Sequence, residues 1–418
     1  MGGRRSDRQI VIQKYGGKSI SNLEQIRSAA QRIVAVKEKG EDVVVVVSAM
    51  GKTTDELLEL AYQAHPDPPA RELDALVSVG EQISSSLLAM ILSDMGYPSV
   101  SLLGYQAGIL TDENYTNARI KAIDTGQIYQ HLDEGKIPVV AGFQGFNSKG
   151  EITTMGRGAS DLTAVALAAA LDAQRCEIYT DVDGVFTCDP ALLSESTKLD
   201  YISYPEMLEL SANGAHLMQT RAVEMARKYR VPIYVANSFS QTPGTWIVSE
   251  NMLEEIVVTG ISVDSEVAEI IARYSGTGNS EHFLAIFQEL ATANINLNIV
   301  VQSSAPNGIR EVSFLVKEDD LERVGQQLRK LQSHMRDLNY TTDVEVAKVA
   351  MVGSGIASTP GTALRMFKTL ANNKIPIKGI VTSEIKMICI IPQRCIKTAV
   401  SSLHQEFELG KLKRKKIA

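Results

Sequence analysis

One short stretch of the sequence combines glycines, a cation, a hydroxyl group and a carboxylate immediately before an Ala- and Leu-rich segment. Gly156 and Gly158 allow the backbone to turn tightly and to approach a ligand, and Ser160 or Asp161 is expected to cap the following helix. The first turn of such a helix offers N–H groups to an anion, and the Arg157 guanidinium suits a carboxylate or a phosphate. Asp161 could also hold a metal. An ordinary capped helix after a glycine turn explains the same residues, so this stretch alone is ambiguous.

Two predicted strand ends carry further groups that suit phosphoryl chemistry. Lys14 ends a strand ahead of two glycines, where a compact ammonium group could meet a transferring phosphoryl group. An exposed lysine beside a turn is the plainer interpretation. The five valines of 43–47 predict a strand buried on both faces, and therefore a parallel sheet. Ser48 and the residues through Thr53 follow that strand, where open α/β sheets bind ligands, although Thr53 also suits a helix cap.

Strands and helices alternate over the first 250 residues, which predicts an α/β domain with a mainly parallel sheet. Glu81 lies in a predicted helix between a glycine and an apolar face. It is either a surface charge or a partner for a substrate ammonium group, and its spacing does not decide between them. We expect helices over about 22–39, 56 onward, 71–95 and 219–229, and strands at about 11–14, 43–47, 100–103, 120–122, 138–141, 176–180 and 232–236.

The composition is typical of a globular protein and excludes several classes of partner. The 418 residues carry a net charge of −7, which argues against nucleic-acid binding, and the length predicts two or three domains. Four scattered cysteines without zinc-site spacing predict a reduced, cytoplasmic protein. We expect no membrane helix, because no apolar run reaches about 20 residues. The polar residues 1–9 predict a disordered extension.

A weak internal repeat follows residue 260. Phe287 and the residues after it match Phe367 and its neighbours at an offset of 80 residues, and Ser303 matches Ser383. Each copy predicts strand, helix, strand, strand and helix. We place the catalytic-type domain at 10–250 and the two copies at 261–340 and 345–410, and an interleaved boundary between the two copies is the alternative. Small βαββαβ units of this kind tend to pair edge to edge and bind small molecules in the seam.

Together these motifs resemble the aspartate kinases, an amino-acid-kinase domain followed by two ferredoxin-like ACT regulatory domains. The motifs that carry the resemblance are Lys14-Tyr15-Gly16-Gly17, Ser48 to Leu57, Gly80-Glu81, Gly156 to Asp161 and Thr180 to Thr187. It covers about residues 10–410. The resemblance implies transfer of the γ-phosphoryl group of ATP, with Mg²⁺, to the side-chain carboxylate of L-aspartate, the first step towards lysine, threonine and methionine. It also implies feedback by lysine or threonine, and a homodimer or larger homo-oligomer formed through the ACT domains.

The resemblance assigns roles to particular residues. Lys14, Arg157 and Asp161 would be catalytic, with Asp161 organising the magnesium-phosphate end and no residue assigned as a direct metal ligand. Aspartate would contact Ser48, Thr53, Glu81, Arg157 and Ser160. The nucleotide would contact Lys14, Tyr15, Gly16, Gly17, Ser48, Thr180, Asp181, Phe186, Asp189, Pro190 and His216. The effector would contact Asn296, Asn298 and Gln302 in the first copy, or Thr362, Ile377, Ser383 and Glu384 in the second.

Several positions depart from the family pattern. Lys18 stands where Ser or Thr is usual, Ala159 replaces a glycine, and Ala191 and His216 replace cations near the nucleotide. The loss of two cations predicts weak ATP binding, which Lys18 could partly restore. The first repeat also lacks the Pro-Gly that opens the helix of the second repeat at Pro360-Gly361. The alternatives are a catalytically weak paralogue acting as an amino-acid sensor or regulatory subunit, and a kinase of a related amino-acid carboxylate.

Overall fold

The structure is a computed structural model that describes residues 8–215, 217–249, 257–275, 281–304 and 309–412. The predicted role of His216, most of the predicted 1–9 extension and the opening of the first-repeat helix at 278–280 lie outside the described residues.

The N-terminal part consists of twelve strands and eight helices within the described residues. The strands are β1 (Ile10–Tyr15), β2 (Asp42–Val47), β3 (Ser99–Leu102), β4 (Ile109–Thr111), β5 (Ile120–Ile123), β6 (Ile137–Ala141), β7 (Gln144–Phe146), β8 (Ile152–Thr154), β9 (Arg175–Thr180), β10 (Tyr201–Ser203), β11 (Ile233–Asn237) and β12 (Thr245–Val248). The helices are α1 (Leu23–Lys37), α2 (Thr53–Ala64), α3 (Ala70–Val77), α4 (Val79–Asp94), α5 (Gly126–Asp133), α6 (Ala159–Ala170), α7 (Tyr204–Ala212) and α8 (Thr220–Tyr229).

An eight-stranded sheet forms the centre, in the order β10-β12-β11-β9-β1-β2-β6-β3. All of its pairs are parallel except β11 with β12. The prediction of a mainly parallel sheet is therefore confirmed. The valines of 43–47 are completely buried because Val43, Val45 and Val47 pack towards α1 and α4, whereas Val44 and Val46 pack towards α6. A smaller sheet, β5-β4-β7-β8, flanks the central one.

The predicted helix over 71–95 is two helices, because α3 ends at Val77 and α4 begins at Val79. By length and composition Ala70–Asp94 could cross a membrane, which differs from our expectation that no stretch is long and apolar enough. More than half of its most apolar window is buried inside the protein, and α4 packs on β3 and β6. A core helix of a globular domain has these properties.

The start of α6 also differs from the prediction. Gly158 occupies the N-cap position with φ of 78°, so neither Ser160 nor Asp161 caps the helix. Both side chains lie in its first turn and are buried. Both side chains can therefore contact groups in front of the helix, whereas a capping side chain would be bonded to the helix backbone.

The C-terminal part contains two four-stranded sheets with helices. Its elements are β13 (Gly260–Asp264), β14 (Val267–Ser275), α9 (Glu281–Thr292), β15 (Asn298–Ser304), β16 (Ile309–Lys317), α10 (Leu321–Gln332), β17 (Asn339–Asp343), β18 (Val346–Val352), α11 (Thr362–Asn372), β19 (Gly379–Thr382), β20 (Lys386–Pro392) and α12 (Ile396–Glu406). The first unit, β14 to β17, has the predicted βαββαβ order and the sheet β15-β16-β14-β17.

The second unit takes its fourth strand from before the first unit. Its sheet has the order β13-β18-β20-β19, and β13 pairs antiparallel with β18. The expected boundary had placed residues 261–264 with the first copy. The pairing includes an ion pair with a buried lysine, because Lys348 Nζ lies 2.8 Å from Asp264 Oδ2. The first unit is thus inserted into the second one.

The second unit also contacts helix α7 of the N-terminal part. The Glu206 carboxylate forms the capping box of α7 and accepts hydrogen bonds from Thr259 and from the backbone N–H of Ser354. Lys386 Nζ lies 2.8 Å from Glu209 Oε2 on the same helix. These contacts join α7 to the second unit.

Candidate active site

The carboxyl ends of four adjacent parallel strands, β9, β1, β2 and β6, meet at one edge of the central sheet. Turns that follow these strands approach one another closely. The Gly16 N–H donates to the Tyr179 carbonyl at 3.1 Å, and the Gly51 N–H donates to the Gly17 carbonyl at 3.0 Å. A side chain on Gly17 would stand 2.7 Å from the Ala49 carbonyl, so only glycine fits there. Open α/β sheets bind ligands at such an edge.

Lys14 and Asp161 form a buried ion pair at this edge. Lys14 Nζ lies 2.7 Å from Asp161 Oδ1, and the two side chains are 11% and 7% exposed. Lys14 comes from the end of β1, and Asp161 from the first turn of α6. The sequence predicted both residues as catalytic but did not predict that they contact each other. The pair fixes the ammonium group beside Gly16, where an added Cβ would lie 3.5 Å from Nζ.

The loop before α6 has the backbone that the sequence predicted. Gly156 and Gly158 have φ of 87° and 78°, which residues with a side chain rarely adopt. Ser160 packs so closely on Gly142, after β6, that a Cβ there would be 2.8 Å from the Ser160 Oγ. Arg157 projects outwards. Its side chain is 85% exposed and lies 2.9 Å from Asp55 in the first turn of α2.

Glu81 is a buried carboxylate with one unused oxygen. It is 3% exposed, Oε1 accepts a hydrogen bond of 3.0 Å from the Ala49 N–H, and Oε2 has no hydrogen-bond partner among the described residues. Burial raises the pKa of Glu81 to about 7. The surface-charge interpretation is therefore wrong. A buried carboxylate is ionised at low cost only beside a cationic partner, and a ligand ammonium group would supply one.

Thr53 and Ser48 lie beside Glu81. Thr53 is the first residue of α2, and its hydroxyl donates to the Met50 carbonyl at 2.8 Å. A side chain on Gly80 would collide with Ala49 and lie 3.6 Å from the Thr53 methyl group, so Gly80 lets these elements meet. The Ser48 carbonyl accepts from the hydroxyl of Ser84 on α4 at 2.7 Å. These contacts bring Ser48 and Thr53, two of the residues predicted for aspartate, to the same strand end, next to Glu81.

A cleft of about 410 Å³ opens beside the end of β9. Lys18 contributes to its lining, and so do residues predicted for the nucleotide: Thr180, Asp181, Phe186, Asp189 and Pro190. Lys18 Nζ lies 2.8 Å from Asp181 Oδ2. Partial burial acts to raise the pKa of Asp181, but hydrogen bonds, first of all from the Lys18 ammonium, outweigh it and hold that pKa below its ordinary value. The structure therefore brings five of the eleven predicted nucleotide residues to one cleft.

The side chain of Tyr15, which was also predicted for the nucleotide, points away from the cleft. Its side chain is completely buried, stacks on Tyr179 with ring centroids 5.1 Å apart, and donates its hydroxyl to Gln13. Neighbouring residues of a strand point to opposite faces. Lys14 therefore faces α6, whereas Tyr15 faces α1, away from the cleft. Only the Tyr15 backbone belongs to the site, where its carbonyl accepts from the Ser48 N–H at 3.1 Å.

Residues from two distant elements also line the cleft, and local patterns do not predict them. Met207 and Leu210 come from α7, and Ile261 and Val263 come from β13 of the second C-terminal unit. Gly214 makes this arrangement possible, because a Cβ there would lie 2.0 Å from the Val263 carbonyl.

Gln219, which precedes α8, was also missed by the sequence analysis. Its side-chain amide donates to the Arg157 carbonyl at 3.3 Å, and its backbone N–H approaches Asp161 Oδ2 at 3.4 Å. Gln219 therefore supports both ends of the loop that carries Arg157 and Asp161. No local motif marks this residue, because its contacts reach across about 60 residues of sequence.

The predicted effector residues fall at two strand edges. Asn298 and Gln302 lie on β15, the outer strand of the first sheet, and Asn296 precedes it. Ser383 and Glu384 form the exposed turn between β19 and β20. Thr362 and Ile377 differ. Thr362 is buried and donates to the Thr359 carbonyl, and Ile377 packs against the core of the second unit.

Comparison with known proteins identifies the family to which the chain belongs. The family model of the amino acid kinase family matches residues 9–237, and an ACT domain model matches residues 349–407. The aspartokinase of Bacillus sp. (strain MGA3) is 47% identical over 96% of this chain and 98% of its own length. The chain belongs to the aspartokinase family. Aspartokinase 2 of Bacillus subtilis (strain 168) is similar at 45% identity, with 96% and 98% covered. This member of the family thus has the amino-acid-kinase fold and the ACT domain that its motifs predicted.

Solved structures agree with this fold. E. coli aspartokinase III in complex with aspartate and ADP superimposes with a TM-score of 0.81 at 21% identity, covering 95% of this chain and 99% of that one. Aspartate kinase from Synechocystis is 38% identical, with a TM-score of 0.53 over 95% of this chain and 69% of that one. The E. coli enzyme has also been crystallised with lysine and aspartate.

Proposed function

We propose that this aspartokinase transfers the γ-phosphoryl group of ATP to the side-chain carboxylate of L-aspartate, giving 4-phospho-L-aspartate and ADP. The observation that carries the proposal is the buried Lys14–Asp161 pair of 2.7 Å, which lies at the same sheet edge as the nucleotide cleft. The product is the first intermediate towards lysine, threonine and methionine. A cytoplasmic location remains a prediction, supported by four free cysteines.

The reaction depends on the positioning of the reacting groups more than on proton transfer. The aspartate carboxylate is ionised at neutral pH, so its oxygen attacks the γ-phosphorus without a general base, while the bond to the β-phosphate oxygen breaks and ADP leaves. Negative charge moves between oxygens around the phosphorus, and fixed cations and N–H groups stabilise it. Lys14 supplies the fixed cation, Asp161 holds its ammonium group in place, and the Gly16-Gly17 turn supplies close backbone access.

Magnesium fits these residues as a phosphate-bound ion. Among the described residues, no group of three or more His, Cys, Asp or Glu side chains converges on one point. Mg²⁺ usually keeps several waters and binds through substrate phosphates and one or two carboxylates, so a protein cage is not needed. Asp161 is the carboxylate that would orient the ion. Bound Mg²⁺ would neutralise part of the charge on the β- and γ-phosphates.

The acceptor end of the site is suited to an α-amino acid. Glu81 offers an unused buried oxygen to the ammonium group, and Thr53 lies beside it at the start of α2. Arg157 is the cation available for the α-carboxylate. Its 85% exposure and its ion pair with Asp55 mean that it must swing inwards to bind the substrate. The glycine turns on either side of Arg157 permit such a swing.

Hydroxylamine trapping tests the proposed reaction. With ATP, Mg²⁺ and L-aspartate at millimolar concentrations, the protein should produce aspartyl hydroxamate, because hydroxylamine captures the acyl phosphate. L-glutamate in place of L-aspartate should give little product, since a longer side chain would misplace the carboxylate. Absence of any hydroxamate with aspartate would favour the amino-acid sensor, and an equal rate with glutamate would favour another acceptor.

The C-terminal units are proposed to form a homodimer and to bind lysine or threonine. Strands β15 and β19 each pair on one side only among the described residues, and each exposes an apolar side chain, Val300 at 45% and Ile380 at 45%. Such edges favour pairing with a second copy. Within one chain the two sheets contact each other at other residues, Leu315, Val346 and Ile390.

The hydroxylamine-trapping assay with added lysine or threonine tests the proposed effector. It should show inhibition if either amino acid is the effector.

Lys18 should strengthen ATP binding. The Lys18 ammonium group lies in the nucleotide cleft. Ala191 and His216 stand where the family pattern has cations near the nucleotide. Lys18→Thr should therefore raise the KM for ATP several-fold, with little change in the KM for aspartate. Asp181→Asn separates two explanations. If Lys18 only neutralises Asp181, the double variant will recover the wild-type KM. If Lys18 contacts the phosphates, Lys18→Thr will raise the KM in the Asp181→Asn background as well.

A further inference from the structure

One wall of the nucleotide cleft is formed by a segment that also packs against the second C-terminal unit. Phe186 and Cys188 line the cleft, together with Asp189 and Pro190. Cys188 is also a member of the hydrophobic core of the second unit, which Leu192 and Leu193 extend. The segment that follows β9 is therefore packed between the two parts of the protein. Its shape depends on both.

Thr187 lies at the centre of this segment and is completely buried. Its carbonyl accepts from the N–H of Ile261 on β13 at 2.7 Å. Its N–H donates to the Thr197 carbonyl at 2.9 Å, and its Oγ1 accepts from the Thr197 N–H at 2.9 Å. Since Thr187 stands between two cleft-lining residues, these bonds fix the part of the wall that faces the nucleotide.

One further contact to Thr187 comes from helix α12 of the second unit. His404 Nε2 lies 3.0 Å from Thr187 Oγ1, and His404 is only 4% exposed. Burial lowers the pKa of His404, although Glu195 opposes this effect, so the imidazole is neutral at physiological pH. A neutral imidazole and a hydroxyl group can hydrogen-bond in either direction, and the contact requires no charge.

We propose that His404 is a positioning residue for nucleotide binding, because its hydrogen bond to Thr187 holds the segment from Phe186 to Pro190 as the wall of the nucleotide cleft. The proposal rests on the proposed function, which places ATP in this cleft. His404 itself does not line the cleft. Its effect should therefore reach the nucleotide only through Thr187, and it should leave aspartate binding unchanged.

Two variants remove the hydrogen bond from opposite ends. His404→Leu and Thr187→Val should each raise the KM for ATP about tenfold, which corresponds to about 1.4 kcal/mol. The KM for aspartate should change less than about twofold. The double variant should be no worse than Thr187→Val alone, because that change already removes the bond to His404 together with the bond from the Thr197 N–H. Calorimetric titration with ADP should show the same loss of affinity without turnover.

Three control variants separate positioning from stability. Thr187→Ser keeps the hydroxyl group, and His404→Gln places an amide near the position of Nε2, so both should retain near-wild-type affinity for ATP. Val400→Ala creates a small cavity in the same core and on the same helix, and leaves the hydrogen bond between His404 and Thr187 in place. It should lower the melting temperature and leave the KM for ATP unchanged.

The outcomes are distinct. An unchanged KM for ATP in His404→Leu would overturn the proposal, as would an equal increase in Val400→Ala, which would show that His404 only stabilises the unit. Wild-type protein that forms no aspartyl hydroxamate but binds ADP would overturn the proposed reaction and leave the role of His404 intact.

Discussion

Replacement of Lys14 by methionine should lower kcat by about 10²–10³-fold, the usual cost of removing a group that stabilises developing charge. Lys14 is held 2.7 Å from Asp161 in a setting largely closed to water, and methionine retains most of the volume of lysine but cannot carry charge. Steady-state hydroxamate assays at saturating ATP and aspartate would measure the loss. A rise in the KM for ATP with kcat unchanged would show that Lys14 contributes only to ground-state binding.

Loss of stability could mimic this result, and the chain offers a matched control. Lys348 and Asp264 form a second Lys–Asp pair, 2.8 Å apart, in the sheet of the second C-terminal unit, and its lysine is buried. Removing one partner of a buried pair costs about 3–5 kcal/mol in stability. Lys14→Met and Lys348→Met should therefore lose comparable stability in urea denaturation. Only Lys14→Met should lose kcat, and an equal loss in both would point to misfolding rather than chemistry.

Local patterns predicted the elements of the site well, because each element depends on its own residues. The valine run is a strand buried on both faces, and Gly156 and Gly158 have the positive φ values that a tight anion loop needs. The structure also places Lys14, Ser48 and Thr180 at strand ends, as the sequence predicted. Parallel strands bring their carboxyl ends to one edge, so residues from distant motifs meet there.

Local sequence patterns did not predict the contacts between elements that are distant in the sequence. The Lys14–Asp161 pair depends on how α6 packs against β1, which no local spacing specifies. Strand β13 pairs with β18, more than 80 residues further along the chain, and the Asp264–Lys348 contact spans the same distance. The direction of the Tyr15 side chain is different, since the alternation of a strand already implied that Tyr15 and Lys14 face opposite sides.

Replacement of Glu81 by glutamine should have opposite effects on substrate binding and on stability. The glutamine amide would keep an oxygen for the Ala49 N–H but would present no carboxylate to the substrate ammonium group. Loss of a charge-assisted hydrogen bond costs about 1.5–3 kcal/mol, so the KM for aspartate should rise about 10- to 100-fold. The KM for ATP should stay within about twofold of the wild-type value, which distinguishes this variant from those of the nucleotide cleft.

The pH dependence of the same variant provides an independent test. Burial raises the pKa of Glu81 from 4.5 to about 7 in the folded protein, so the folded state binds more protons than the unfolded state between these values. Stability from this group therefore falls as the pH rises from 4.5 through 7. Ligand-free Glu81→Gln should melt at a higher temperature than wild type at about pH 8, and the difference should disappear near pH 4.5.

For wild type, kcat/KM for aspartate should fall as the pH drops below about 7, since only the ionised carboxylate attracts the ammonium group. A flat profile in wild type, or a lower melting temperature of the variant above the pKa of Glu81, would contradict the assignment of Glu81 to the substrate.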